Sequence, residues 1–170
     1  IWQNKAYQDI VPRFFTSASP LLVDDLCIIH LGDQEQGVIV AFNIQTGEEV
    51  WKHENEPCTY SSAVRMEDDM LVVQAENSLL GFSIDGENLW NIPTPIERRF
   101  YSSATPIVNG NQVIVTGQGN GTKMYQIEEN EDQYSPKLIW SNEEYGVTFN
   151  TPVLKDGYLY GNEARFGSIF

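Results

Sequence analysis

Three short segments deliver aromatic side chains, and the first two also deliver arginines: V-P-R-F-F from Val11 to Phe15, E-R-R-F-Y from Glu97 to Tyr101, and E-Y-G-V-T-F-N from Glu144 to Asn150. A guanidinium fork gives paired hydrogen bonds to planar oxygen groups, and a neighbouring ring gives a stacking surface. Together they suit a carboxylate, a quinone or a sugar. The candidate lining is therefore Arg13, Phe15, Tyr60, Arg98, Arg99, Tyr101, Phe149 and Asn150. The competing reading is structural: aromatics at strand starts pack between sheets, and arginines balance an acidic chain.

Other chemistry-bearing residues fall away on inspection. His30 and His53 have no partners at metal-ligand spacing, so no metal site is expected. The stretch from Gly117 to Gly121, G-Q-G-N-G, has the glycines of a phosphate loop but lies between two strand patterns, with no helix N-terminus to hold an anion. It reads as a turn. Ser61-Ser62 and Ser102-Ser103 sit at strand starts outside any nucleophile elbow, so no catalytic residue is assigned. Asn120-Gly121-Thr122 is a glycosylation sequon that matters only in a eukaryotic secretory setting. Cys27 and Cys58 are isolated and read as small buried hydrophobes rather than a disulfide.

The chain of 170 residues is 41% hydrophobic and 12% aromatic, enough for a packed core. Its net charge of −14 repels phosphate backbones and excludes nucleic acid as a primary partner. No apolar run approaches the roughly 18 residues of a membrane span. It begins at Ile1 rather than methionine, which is expected of a piece of a longer chain with any targeting segment lost.

The elements that must position these residues are organised around the stretch from Gly37 to Trp51. Val38, Val40, Phe42 and Ile44 alternate with a period of two, Thr46-Gly47 turns the chain, and Val50-Trp51 starts the return strand. The pattern recurs from Ser78 to Trp90 with Asp85-Gly86 as the turn. Trp2, Trp51, Trp90 and Trp140 lie 49, 39 and 50 residues apart, each after an apolar residue. Between them run small-residue segments: S-A-S-P to Pro20, S-S-A-V to Val64, S-A-T-P to Pro106 and F-N-T-P to Pro152. Each is followed by a polar turn and an apolar strand.

Four short antiparallel strands at this period describe a β-propeller blade, which gains a core only by stacking on copies of itself. The chain reads as one all-β, partial propeller domain over residues 1–170. Its blades fall near 16–53, 60–92, 101–141 and 148–170, with Trp2 closing an earlier one. Propellers close with about four to eight blades. About three and a half cannot close a ring, so the rest of the propeller or another copy is needed.

The segment A-F-N-I-Q-T-G-E-E-V-W resembles the A-x-D-x-x-T-G-x-x-x-W tryptophan-docking signature of pyrroloquinoline-quinone-like (PQQ-like) propeller repeats. Ala41, Thr46, Gly47 and Trp51 match, and Asn43 replaces the usual Asp. Gly81, Asp85-Gly86 and Trp90 match a shortened copy; Met124, Tyr125 and Trp140 survive around an insertion in the third. The resemblance implies that Trp2, Trp51, Trp90 and Trp140, with Thr46 and Gly47, dock one blade onto the next. It is closest to exported bacterial PQQ-like repeat proteins, which implies a periplasmic or extracellular location. Some relatives are quinone-dependent alcohol or sugar dehydrogenases that hold PQQ with calcium at the axis, near vicinal cysteines and a catalytic Asp. Others, such as the propeller of the outer-membrane assembly machinery, are scaffolds without a cofactor. This sequence has no vicinal cysteines.

Sorting the turns by blade end places more than half of the 24 carboxylates on the face carrying the A-to-B and C-to-D turns, densest at Glu128 to Asp132. That face suits solubility or a basic partner. The expectation is a non-catalytic binding or scaffold module of an exported bacterial protein, with no cofactor and with a protein or small-molecule partner. The alternative is a PQQ-dependent dehydrogenase, and the third reading a carbohydrate-binding propeller.

Overall fold

The computed structural model describes residues 1–67, 69–95, 103–131, 133–163 and 167–170. Every regular element among them is a strand. The first sheet is β1 (Leu21–Val23), β2 (Leu26–Gly32), β3 (Gly37–Asn43) and β4 (Glu49–Glu54). The second is β5 (Val64–Met66), β6 (Met70–Gln74), β7 (Ser78–Ser83) and β8 (Asn88–Pro93), and the third β9 (Ile107–Asn109), β10 (Gln112–Gly117), β11 (Gly121–Asn130) and β12 (Gln133–Asn142). Each is a four-stranded antiparallel meander. A fourth sheet holds β13 (Val153–Lys155) and β14 (Tyr158–Tyr160), after which Asn162 bridges Ile169. This is the architecture of a partial β-propeller. No helix among the described residues is long and apolar enough to cross a membrane.

The blades are held by stacking, and the middle strands show why their sequences read as unbroken apolar runs. In β6, Leu71 and Val73 face a core shared with Ile28, Ile39 and Ala41 of the first sheet, while Val72 faces a core shared with Val113, Tyr125 and Ile127 of the third. Both faces of β6 and β7 are thus dry, and burial of that apolar surface is the main stabilising term. The outer strands β4 and β12 alternate or stay exposed. On the free side of the first sheet, Tyr7 of the leading segment packs on the core of Val38, Val40 and Phe42.

Two repeating backbone devices underlie the sequence repeat. The N–H groups of Ile44, Ile84 and Ile127 donate to the carbonyls of Asp25, Asp69 and Asn111, tying the C-to-D turn of the first two blades, and strand β11 of the third, to the A-to-B turn of the same blade. A β-bulge precedes each tryptophan: Val50, Leu89 and Ile139 are the extra residues opposite Ala41/Phe42, Gly81/Phe82 and Met124/Tyr125. Such a bulge re-aims the next side chain, which explains the apolar-Trp pairs. In the third blade the inserted residues lengthen the hairpin instead of forming a loop, so β11 and β12 run ten residues each. Gly117 pairs with Gly121 across the expected β10–β11 turn.

Strand β2 of the first blade carries a buried polar group with a pH consequence. His30 is 4% exposed, and its Nε2–H donates to the Glu56 carbonyl at 2.8 Å. Nδ1 is buried without a hydrogen-bond partner. Burial pulls the imidazole pKa below its ordinary value, against the smaller opposing effects of the Glu56 carbonyl and charge. The folded state therefore refuses a proton that the unfolded chain takes up below about pH 6.5. Stability should fall as pH drops from about 6.5 towards 5, and the H30Q variant, whose amide can still donate to Glu56, should lose that part of the slope. Thermal melts of both proteins across this range check it; parallel curves would refute it. Cys27 and Cys58 are free thiols, and Cys58 is pushed up to about 12 by burial, then by Asp33 and Glu76.

Candidate functional site

The first strands of the blades stand side by side, β1 against β5 and β5 against β9. One bond repeats at their starts. Ser19 N–H donates to Ser62 Oγ at 2.9 Å, Ser62 N–H to Thr105 Oγ1 at 3.1 Å, and Thr105 N–H to Thr151 Oγ1 at 3.1 Å. Each of these residues directly precedes Pro20, Ala63, Pro106 or Pro152. A residue before proline is held extended, and here its N–H points sideways to the next blade. The result is a staircase of hydroxyls that both joins the blades and lines their common axis.

Beside the staircase opens a cleft of about 560 Å³. Phe14, Tyr60 and Phe149 supply its aromatic walls, and Ser17, Ser62, Ser103 and Thr105 its polar ones. All four repeats contribute, so the cleft lies where the blades converge. Ser17 Oγ–H donates to the Tyr60 carbonyl at 3.1 Å, and Phe14 N–H donates to the Tyr60 hydroxyl at 3.2 Å. The Phe14 and Tyr60 rings lie 6.2 Å apart, tilted by 42°.

Of the residues expected to line a site, Tyr60 and Phe149 stand in this cleft. Arg13 lies at its edge, with its guanidinium 5.4 Å from the centre of the Phe14 ring. Phe15 adopts a left-handed backbone, φ 63°, and is 76% exposed outside the lining. Asn150 is turned into the fourth blade, its amide donating to the Asn162 carbonyl at 3.2 Å. Arg98, Arg99 and Tyr101 lie outside the described residues, as do Ser102, Asp68 and Asp132. Phe14 and the hydroxyl series were not among the expected lining. The signal for the series was present in the 43-, 43- and 46-residue spacing of Ser19, Ser62, Thr105 and Thr151.

The four tryptophans take different positions. Trp2 Nε1–H donates to the Ile44 carbonyl at 2.9 Å and its ring covers Gly47; Trp51 Nε1–H donates to the Ile84 carbonyl at 2.8 Å and its ring covers Gly86. Both glycines have positive φ, 75° and 90°, in the C-to-D turn of the following blade. Asn43 serves where Asp is usual, since its Oδ1 accepts from Gln45 and Thr46 N–H at 2.9 and 3.0 Å. Thr46 Oγ1 accepts from Glu48 N–H at 3.2 Å.

Trp90 departs from this pattern. It is 4% exposed, but its Nε1–H donates to Met70 Sδ at 3.0 Å and its ring lies over Gly81, both in its own sheet. The cause is in the third blade, where the turn is replaced by continuing hairpin and the Ile127 carbonyl accepts from Asn111 Nδ2. Gly81, where the first blade has Ala41, leaves room for the ring. Trp140 is 45% exposed and borders an apolar cleft with Met124, Leu154, Tyr158 and Phe170. Among the described residues of the following blade, no C-to-D turn faces it.

A family model described as outer membrane protein assembly factor BamB matches residues 1–170. The chain belongs to this BamB family of PQQ-like propellers. Among curated protein sequences none matches at a significant level. The BamB structure from Moraxella catarrhalis is 18% identical, with a TM-score of 0.63 over 86% of this chain and 43% of that one. The computationally designed Ika4 protein is 13% identical, with a TM-score of 0.60 over 90% and 89% of the two chains. Quinohemoprotein alcohol dehydrogenase from Comamonas testosteroni is 15% identical, with a TM-score of 0.51 over 72% and 21%. At these identities the likeness is one of fold. The chain spans less than half the length of the Moraxella BamB.

Proposed function

We propose that this chain is part of a non-catalytic BamB-type propeller that acts as a protein-binding scaffold in outer-membrane protein assembly, working in the periplasm or at the outer membrane. The observation that carries the reading is the match of the BamB family over residues 1–170. The fold supports it in one further way. Each meander brings its A-to-B and C-to-D turns to the same end of the blade, so Asp24, Asp25, Glu48, Glu67, Asp69, Asp85, Glu87, Glu128 and Glu129 share one face. Such a surface steers and holds a basic partner.

The dehydrogenase reading rests on the quinohemoprotein likeness and would need PQQ and calcium. Calcium takes six to eight oxygen ligands, mainly carboxylates and carbonyls. The described lining of the axial cleft presents hydroxyls and aromatic rings instead, a donor set that does not fit the ion.

One titration pair tests the proposal. The full-length protein is measured by biolayer interferometry against the purified barrel subunit of an outer-membrane assembly machinery, and by fluorescence against PQQ with calcium. Saturable binding to the protein that weakens as salt screens the acidic face is expected, with no response to the quinone. Saturable quinone binding without protein binding would overturn it.

A further inference from the structure

We propose that the axial cleft is a binding site for a neutral oligosaccharide. The argument is independent of the scaffold reading and rests on what the cleft offers. Its described lining is hydroxyls and aromatic rings, with the Arg13 guanidinium against Phe14 at the edge, and the net charge of −14 disfavours an anion. What remains is a row of hydroxyls facing aromatic rings, the two features that match the hydroxyl edge and the C–H face of a sugar.

The hydroxyls are oriented for this. Ser62 Oγ and Thr105 Oγ1 each accept a backbone N–H from the preceding blade, which fixes the oxygen and leaves its proton to donate. Ser103 Oγ lines the same cleft, is shielded from water and has no hydrogen-bond partner. A buried hydroxyl with its bond unmade is costly, and a ligand hydroxyl in the cleft would supply the missing partner. At the rim, Phe149 is 75% and Phe14 57% exposed, apolar rings held in water beside polar groups. The volume of about 560 Å³ lies within the roughly 300 to 1,000 Å³ of small-ligand sites. An extended peptide would also use hydroxyls, but the exposed rings on the rim offer the stacking surface that the C–H face of a sugar uses.

Isothermal titration and saturation-transfer NMR of the full-length protein with chitotriose and maltotriose test the site. Saturable binding of at least one sugar with a Kd of about 1 mM or tighter is expected. Phe149→Ala should weaken it about tenfold or more and Ser103→Ala about threefold, with both variants melting within about 2 °C of the parent. No saturable signal from either sugar up to about 20 mM would overturn the proposal. So would sugar binding indifferent to Phe149→Ala, or saturation by an uncharged Ser/Gly/Phe peptide and not by the sugars. The scaffold reading is judged separately, by the barrel-subunit titration, so either can fail alone.

Discussion

Replacing Trp51 with alanine is expected to lower stability by about 3 to 5 kcal/mol, because it removes an anchor between two blades and leaves a cavity behind. The indole packs against the core formed by Ile39, Ala41, Leu80 and Phe82, stacked on Phe82 with ring centres 6.4 Å apart at 21°. Its N–H also holds the Ile84 carbonyl across the blade boundary. Trp140 is the internal control, since it sits at the same bulge position but is 45% exposed. Trp140→Ala should cost about 1 kcal/mol or less. Urea unfolding followed by circular dichroism reads both. Equal losses would show that the position in the repeat, and not the inter-blade contact, sets the cost, and the account of Trp51 would fail.

This contrast marks where the sequence is legible and where it stops. The period-two runs, the turn residues and the apolar-Trp pairs identify blades because each blade needs the same local solution: a two-residue turn at Asp24-Asp25, a bulge at Val50, a dry middle strand. Those are short-range requirements, so they are written in adjacent residues. Trp90 could not be placed from its own segment. Its position depends on Gly81 nine residues earlier and on a hairpin extension some 40 residues later, which together divert the ring onto its own sheet. The axial cleft was half legible for the same reason. Tyr60 and Phe149 follow from the small-residue segments where the blades begin, whereas the hydroxyl staircase exists only once equivalent residues 43 to 46 positions apart are brought side by side. Arg13 carries the charge expected of a ligand contact, but its guanidinium lies over Phe14.

The second large effect is expected at Gly86, where two costs with separate causes meet. Its φ of 90° is a conformation that an L side chain rarely adopts, and a Cβ there would stand 2.6 Å from the Trp51 ring. Gly86→Ala should therefore lose about 1 to 2 kcal/mol to backbone strain and about 1 to 3 kcal/mol to displacement of the indole. The two parts separate in a double-mutant cycle. In a Trp51→Ala background the ring is gone, so Gly86→Ala should cost only the backbone part, about 1 to 2 kcal/mol, and the double variant should be more stable than the sum of the singles predicts. Strict additivity would mean that Gly86 is required by its turn alone and that the tryptophan does not rest on it. A cost that vanishes in the Trp51→Ala background would mean the reverse, that the turn tolerates a side chain and glycine is there only to admit the ring. The expected intermediate result ties the left-handed turn of one blade to the bulge-aimed tryptophan of the blade before it. That coupling is what lets a sheet with two apolar faces be specified by a short repeat.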